Sequence, residues 1–268
     1  MIGAHPFAFM GRSLIEAGAS FTFGDIPGIF RWWDASDGST MFSDTAGTTA
    51  ATDGNPVRRW NDKIAALALT NSGAGITLDA DGLNTHPTLV FNGASVLTVS
   101  SSGFGNNQTA LSVLAVAQCN VSSTTFNRVF NVNIPSSAGV FVGLDFNNVS
   151  GSGKTATTMR RVAADGSAPY TVGATSHATT PRLLGARINY STGVAQVLLG
   201  GSVDATGATP STGSTAASNS GALSLGGYTA AVAPLDGRIS EIALVHGYIS
   251  DETLASAWAA SQAKWGLS

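Results

Sequence analysis

The segment 182–199 has the sequence RLLGARINYSTGVAQVLL, in which two apolar runs flank the short polar stretch 191–193. In the first run Leu184, Ala186 and Ile188 occupy alternate positions. An alternation with a period of two is typical of a half-buried strand, and a short glycine-containing stretch between two such runs is typical of a hairpin turn. We therefore predict an antiparallel β-hairpin here.

Further short apolar runs, separated by Gly, Ser, Thr, Asn and Asp, predict an all-β sandwich or barrel. Ala110–Gln118 is apolar at nearly every position, which is typical of a central strand buried on both faces. In Val140–Phe146, by contrast, a fully apolar face opposes Phe141, Gly143 and Asp145. The other predicted strands are Thr88–Asn92, Val96–Val99, Leu223–Leu225 and Ile239–Tyr248. Asp204–Ser220, rich in Ser, Thr, Ala and Gly, is interpreted as a long exposed loop within one domain.

One C-terminal helix is predicted. Ser250 is a favourable N-cap, acidic residues follow it, and Gly266 suits the C-terminal end. One stripe of the helix then contains Leu254, Trp258, Ser261 and Trp265, three of which are large and apolar. We expect this helix to cap the sandwich.

Composition excludes several classes of protein. Charged residues make up only 11% of the 268 residues and the net charge is −3, which argues against a helical bundle, a coiled coil and a nucleic-acid binder. The single cysteine, Cys119, excludes an intrachain disulfide or a CxxC pair. Apolar runs are too short for a membrane span, and the first residues lack the pattern of a signal peptide. We therefore expect no membrane insertion and synthesis in a host cytoplasm.

Residues 1–24 differ from the rest and are interpreted as an N-terminal arm, followed by one sandwich domain at 25–268. Phe7, Phe9, Phe21 and Phe23 are the apolar residues of this arm. Two interpretations are open. The arm is either a strand that closes one edge of the main sheet or a docking peptide that inserts into a neighbouring subunit.

Several segments, in this order and spacing, resemble the laminin-G-like and concanavalin-A-like jelly-roll domains of phage virion proteins. The resemblance covers about residues 28–268. It implies a two-sheet antiparallel sandwich with Trp33 and Trp60 in the core, and it implies little about chemistry because this fold has many functions. The segments are Phe30–Thr40, Asp53–Val57, Trp60–Lys63, His86–Gly93, Leu235–Ile242, Ile249–Glu252 and Lys264–Leu267.

The sequence offers no catalytic pair. Glycosidases of this fold resemble one another in a Glu-x-Asp-x-Glu strand, because retaining hydrolysis needs two carboxylates on one face. This chain has only Glu16, Glu241 and Glu252, and none of them has a carboxylate two residues away on a predicted strand. We expect no catalytic residue and no enzymatic activity.

Carboxylates suggest one candidate metal. Asp34 with Asp37, and Asp79 with Asp81, stand close together in stretches that we interpret as turns, and sandwiches of this class often bind calcium. The alternative is that these aspartates cap turns through their own backbone. No other cofactor is expected.

Carbohydrate binding on such a fold would use aromatic side chains in loops, with amides to fix the hydroxyl groups. Tyr170, Tyr190 and Tyr228 stand at predicted strand ends or loops, and Asn147 with Asn148 occupies another turn. These five residues are the candidate ligand-binding set.

Our leading hypothesis is a non-enzymatic protein on the surface of a phage or phage-like particle. It would be a tail fibre, head spike or decoration protein that binds a cell-surface polysaccharide or receptor, held to other virion subunits by its arm. The second hypothesis is a purely structural capsid or tail decoration protein. The third is a glycan hydrolase or lyase.

Overall fold

The fold is seen in a computed structural model, which describes residues 20–71, 73, 75–100, 102–120, 127–133, 140–146, 153–165, 169–176, 179–217, 221–228 and 232–268. Apart from three short 3-10 turns, the elements within these residues are strands and one α-helix. In chain order they are β1 (Ile29–Asp34), β2 (Met41–Phe42), β3 (Arg59–Asn61), β4 (Ala68–Thr70), β5 (Ile76–Leu83), β6 (His86–Asn92), β7 (Leu97–Val99), β8 (Ala110–Cys119), β9 (Asn127–Val132), β10 (Phe141–Phe146), β11 (Lys154–Arg160), β12 (Tyr170–Ser176), β13 (Arg182–Asn189), β14 (Val194–Leu199), β15 (Ser202–Ala208), β16 (Leu223–Leu225), β17 (Asp236–His246) and α1 (Asp251–Trp265).

The strands form two antiparallel sheets. Sheet I has the order β15-β14-β13-β8-β17-β6-β5, and β1 also pairs with β17. Sheet II has the order β12-β11-β10-β9-β16-β7-β4-β3-β2. The core lies between the two sheets and contains Trp33 and Trp60, both fully buried, as expected. The predicted two-sheet sandwich is confirmed.

The hairpin at 182–199 is present as β13 and β14. Its register places Ile188 opposite Ala195 and Asn189 opposite Val194. Gly193 has a φ of 77° in the turn, a backbone conformation that glycine adopts without a steric penalty. The alternation in the sequence therefore predicted both strands and the connection between them.

The helix α1 covers the outer face of sheet I. The Ser250 side chain accepts a hydrogen bond from the Thr253 amide, and Gly266 ends the helix in the left-handed conformation. Leu254 and Trp265 pack in a second apolar cluster with residues of the sheet, among them Leu114 on β8. Because the core lies on one side of β8 and this cluster on the other, the strand is buried on both faces, which explains its continuous apolar sequence.

Two local predictions were wrong. Asp79 and Asp81 lie in β5, where a turn was expected, because this segment pairs with β6 on both sides of an irregularity between Asp79 and Leu83. The first residues of the expected loop 204–220 belong to β15, because they pair with β14 at the sheet edge. In both cases pairing with a neighbouring strand outweighs local residue preference.

The described part of the arm packs on its own chain. Phe23 is 1% exposed in the apolar cluster under α1, and Phe21 packs against that cluster. Phe7 and Phe9 lie outside the described residues. Phe23 is therefore buried within its own chain, and both interpretations of the arm stay predictions. Within the described residues no helix is long and apolar enough to cross a membrane.

Candidate functional site

The face of sheet II that points away from the core carries no helix in the described part of the chain, unlike the corresponding face of sheet I. On β10 the residues Val142, Leu144 and Phe146 belong to the core. The alternate residues of this strand therefore face outward. At β9 and β10 the outward-facing side chains are nevertheless buried.

A buried ion pair occupies the outer face at β9 and β10. The Arg128 guanidinium donates through Nη2 to Oδ2 of Asp145 at 2.9 Å and through Nε to Oδ1 of the same carboxylate. Both side chains have no exposed surface. Arg128 Nη1 also donates to Oδ1 of Asn131 at 3.2 Å, and the Thr158 hydroxyl lies 3.5 Å from Asp145. The two-pronged geometry fixes the guanidinium plane.

Burial raises the pKa of the Asp145 carboxyl to about 6, although the charge and hydrogen bonds of Arg128 oppose this effect. Removal from water disfavours the ionised carboxylate, and the neighbouring cation compensates only in part. At neutral pH the pair carries no net charge. The outer face at this point therefore has polar groups but no net charge from the pair.

Gly143 provides the space for Arg128. It lies on β10, two residues from Asp145. A Cβ atom on Gly143 would come within 2.7 Å of Arg128 Nη1 and within 2.8 Å of the Thr158 hydroxyl. The guanidinium therefore lies across the backbone of β10, which only glycine permits without a shift of its neighbours.

Aromatic rings surround the guanidinium. The Arg128 Cζ atom lies 3.8 Å from the centre of the Tyr228 ring and 5.6 Å from that of Phe141. The two rings are 5.9 Å apart with an angle of 25° between their planes. The Tyr228 ring thus contacts a cation and a second ring, and these contacts fix its orientation.

An exposed ring adjoins this group. Tyr170 on β12 pairs with Thr158 on β11, and its side chain is 42% exposed. Tyr228 is half-buried. Burial raises the pKa of the Tyr228 hydroxyl, so the hydroxyl stays protonated and can donate a hydrogen bond at neutral pH. We call Arg128, Phe141, Asp145, Tyr170 and Tyr228 the aromatic patch.

The structure brings together two of the predicted ligand-binding residues, Tyr170 and Tyr228. Tyr190 departs from the expectation. It is fully buried in the core, and burial raises the pKa of its hydroxyl. A ligand cannot reach it. Asn147 and Asn148 lie outside the described residues.

Lysines take the place expected for calcium beside Asp34 and Asp37. Lys264 Nζ lies 2.7 Å from Oδ1 of Asp34, and Lys63 Nζ lies 3.0 Å from Oδ2 of Asp37. The hydrogen bond from Ser39 and the charge of Lys63 lower the pKa of Asp37. Cationic side chains therefore already neutralise the two carboxylates that were expected to bind calcium.

The two members of the other predicted calcium pair have different surroundings. Asp79 forms an ion pair with Arg238, whereas Asp81 is exposed on β5. In the part of the chain that the structure describes, no group of three or more His, Cys, Asp or Glu side chains could hold a metal ion. Of the four aspartates that were expected to bind calcium, Asp34, Asp37 and Asp79 therefore form ion pairs.

The Glu241 carboxylate is held by hydrogen bonds from two tryptophans. Its carboxylate accepts hydrogen bonds from the indole nitrogens of Trp32 at 2.8 Å and Trp265 at 2.7 Å, and Lys264 Nζ lies 3.4 Å away. Burial raises the pKa of Glu241. Since it lies on sheet I beneath α1, whereas Asp145 lies on sheet II, these two carboxylates belong to different parts of the fold.

Sequence reasoning missed the polar half of the patch. Asp145 and Gly143 were recognised only as the face opposite the apolar one, and Arg128 was not singled out. An aspartate and an arginine inside otherwise apolar strands were the available signal, because buried charges in strands are usually paired.

Comparison with known proteins gives the fold. No family model matches the chain, and no curated protein matches it. Among solved structures, domain 4 of AbnA, a GH43 extracellular arabinanase from Geobacillus stearothermophilus in complex with arabinotriose, is 18% identical with a TM-score of 0.53, over 85% of this chain and 97% of that one. The chain is a jelly-roll β-sandwich.

A second similar structure is Trypanosoma rangeli sialidase in complex with the inhibitor DANA, which is 10% identical with a TM-score of 0.57. The match covers 86% of this chain but 32% of the sialidase, so the sandwich spans about a third of that enzyme's length. At these identities the likeness is one of fold.

Proposed function

We propose that this sandwich is a non-enzymatic carbohydrate-binding protein displayed on the surface of a phage or phage-like particle, where it binds a host-surface polysaccharide through the aromatic patch. The observation that carries the proposal is the exposed ring of Tyr170, near enough to Tyr228 to raise the pKa of its hydroxyl, together with the contact of Arg128 with the Tyr228 ring.

The chemistry of the patch suits a sugar. The apolar face of a sugar ring packs on an aromatic ring, and tyrosine offers a hydroxyl at the edge for the sugar's own hydroxyl groups. Because Asp145 neutralises Arg128, the pair adds no net charge that would favour an anionic ligand over a neutral one. Rings fixed in the free protein lose little freedom on binding, which favours affinity.

The similar structures favour the same ligand class. The AbnA domain that covers most of this chain was solved with arabinotriose. Jelly-roll domains of phage virion proteins, which the sequence resembles, support display on a particle, with other virion subunits as partners. The low content of charged residues, 11%, agrees with an outward-facing module rather than one that binds nucleic acid.

The absence of a carboxylate pair at the patch supports a non-catalytic role. Glycoside hydrolysis uses two carboxyl groups that flank the scissile bond. Among the described residues, the side-chain hydrogen bonds of Asp145 go to Arg128 and Thr158, and no second carboxylate joins them. The group instead acts as the partner that orients Arg128.

The test is binding of the purified protein to a glycan array and to envelope polysaccharide of candidate hosts, with Tyr170→Ala and Tyr228→Ala variants. Each variant should weaken binding about tenfold, since one stacked ring contributes about 1–1.5 kcal/mol. Tyr248→Phe is the control, because this tyrosine lies on the opposite side of the fold, where its hydroxyl donates to Gln196.

Two results would overturn the proposal. Unchanged binding in both variants would exclude the patch, and absence of any glycan binding would favour a purely structural particle protein. Release of shorter glycans by the wild type would favour a hydrolase or lyase. Immunogold labelling of particles with an antibody against the sandwich tests the location, and labelling inside the host cell alone would contradict surface display.

A further inference from the structure

A cleft opens beside β4 and β7 of sheet II, outside the aromatic patch. It has a volume of about 290 Å³. Its lining contains no charged residue and consists of Thr70, Asn71, Gly73, Ala94, Ser95, Val96 and Thr98. A pocket of this size accommodates one small ring or a short polar molecule.

The sheet directs two hydroxyl groups of the cleft to the same side. Thr70 on β4 pairs directly with Thr98 on β7, whereas the neighbouring Leu69 and Leu97 belong to the core. Because alternate residues of a strand point to opposite faces, the two threonines lie on the outer face. Directly paired side chains are about 5 Å apart, so one ligand can contact both.

An amide without a partner also borders the cleft. The Asn71 Oδ1 atom accepts a hydrogen bond from the Gly73 amide at 2.8 Å, which fixes the orientation of the side chain. Its Nδ2 atom is buried and has no hydrogen-bond partner. A buried donor without a partner costs free energy, and a ligand that accepts a hydrogen bond there recovers it.

We infer that this cleft, the polyol site (Thr70, Asn71, Ser95 and Thr98), binds a single uncharged sugar residue. The amide of Asn71 donates to a sugar oxygen, and the hydroxyl groups of Thr70, Ser95 and Thr98 both donate and accept. Arg59, which pairs with Thr70 from β3, directs its guanidinium to Asn61 and to the carbonyl of Ala46. With no charge in the lining, a neutral sugar fits better than an anionic one.

The position of the polyol site extends the proposed function, on which this inference rests. Thr98 is separated from β9, the strand of Arg128, by β16 alone. The distance from β7 to β9 is two strand spacings, or about 10 Å. The distance from β7 to β12, the strand of Tyr170, is five spacings, or about 24 Å. A single monosaccharide cannot contact both places. A polysaccharide that occupies both gains affinity because the second contact is intramolecular.

The experiment is an NMR titration of the ¹⁵N-labelled protein with D-glucose, D-galactose, D-mannose and L-arabinose, each alone, and with N-acetylneuraminic acid as an anionic sugar. At least one neutral sugar should shift the backbone amide signals of Thr70, Ser95 and Thr98. A Thr70→Val/Thr98→Val variant, which keeps the side-chain shape, should weaken this binding about thirtyfold, since each of the two hydroxyls contributes roughly 1 kcal/mol. Thr98→Ser keeps a hydroxyl and should retain binding.

The outcomes separate this inference from the proposed function. If the shifts at Thr70 and Thr98 persist in a Tyr170→Ala/Tyr228→Ala variant, the polyol site binds independently of the aromatic patch. If all sugar-dependent shifts lie at the aromatic patch and the threonine variant binds like the wild type, the inference is wrong and the proposed function stands. No shift at Thr70, Ser95 and Thr98 with any of the neutral sugars also overturns it.

Discussion

Replacement of Gly143 by alanine tests whether Arg128 really lies across the backbone of β10. The added methyl group would stand 2.7 Å from Arg128 Nη1 and 3.0 Å from its Cζ atom. Neither atom can move away freely, because the guanidinium is fully buried and bound on both prongs to Asp145. The variant must therefore shift the ion pair or the strand.

The expected loss of stability is about 2–3 kcal/mol, since one extra methyl in a closely packed site costs about 1–3 kcal/mol and part of the ion pair is weakened as well. For a chain of this size the loss corresponds to a Tm about 5–10 °C lower. Displacement of Arg128 also removes the support of the Tyr228 ring, so glycan binding should weaken.

The assays are thermal unfolding followed by circular dichroism and glycan binding by calorimetry. Gly38→Ala is the matched control, because a Cβ atom there meets nothing within 4 Å and its backbone is not left-handed. That variant should stay within about 0.5 kcal/mol of the wild type. A Gly143→Ala protein as stable as the Gly38→Ala control, with unchanged affinity, would refute the placement of Arg128.

Four further predictions concern the rest of the molecule. Glu241→Gln should lower stability by about 1–3 kcal/mol in chemical denaturation, because an amide cannot accept from both indoles that the carboxylate now bonds. The pKa of Asp145, about 6, lies above its ordinary value of 3.8, so the native state holds the proton more tightly. The Asp145 contribution to stability should therefore fall, by up to about 3 kcal/mol, as pH rises from 4 to 6, against an opposite contribution from His246, whose pKa burial lowers to about 4. Asp145→Asn removes the Asp145 contribution, so between pH 4 and 6 the stability of this variant should rise more with pH than that of the wild type in denaturation curves. Calcium or a chelator should leave the Tm unchanged, because lysines occupy the positions beside Asp34 and Asp37; a rise in Tm with calcium would contradict these ion pairs. Tyr190→Phe should leave glycan binding unchanged and raise stability by at most about 1 kcal/mol, because it removes a buried hydroxyl that has no partner; a clear loss of affinity would place this residue in the site.

Much of the fold was accessible from the sequence because local pattern and tertiary structure agree. The strand β14 has the predicted bounds, and α1 begins after the predicted cap, Ser250. These elements are fixed by alternation, turn residues and caps, all of which act over a few residues. The prediction was wrong at Asp79, Asp81 and Asp204, where pairing with the adjacent strand of the chain outweighs the turn preference of these residues.

The candidate site was accessible only in part. Tyr170 and Tyr228 were proposed from their residue type, but the same reasoning chose Tyr190, which the core encloses. Residue type does not show which side chains will point into the core between the two sheets. Likewise, Arg128 and Asp145 are 17 residues apart, and only the pairing of β9 with β10 brings them together.

A related limit applies to the calcium hypothesis. Asp34 meets Lys264 across 230 residues of sequence, in a contact made when α1 docks on sheet I. A local cluster of aspartates carries no information about the cations that the fold delivers to it. The sequence pattern was compatible with a metal site, and only long-range packing shows that lysines lie beside these carboxylates.

The most direct measurement is a structure of the protein with a bound oligosaccharide from the envelope polysaccharide of its host. Our account predicts a sugar ring packed on Tyr170 or Tyr228, with the Arg128–Asp145 pair intact beneath it. Sugar density confined to sheet I or to α1, with the aromatic patch empty, would contradict it.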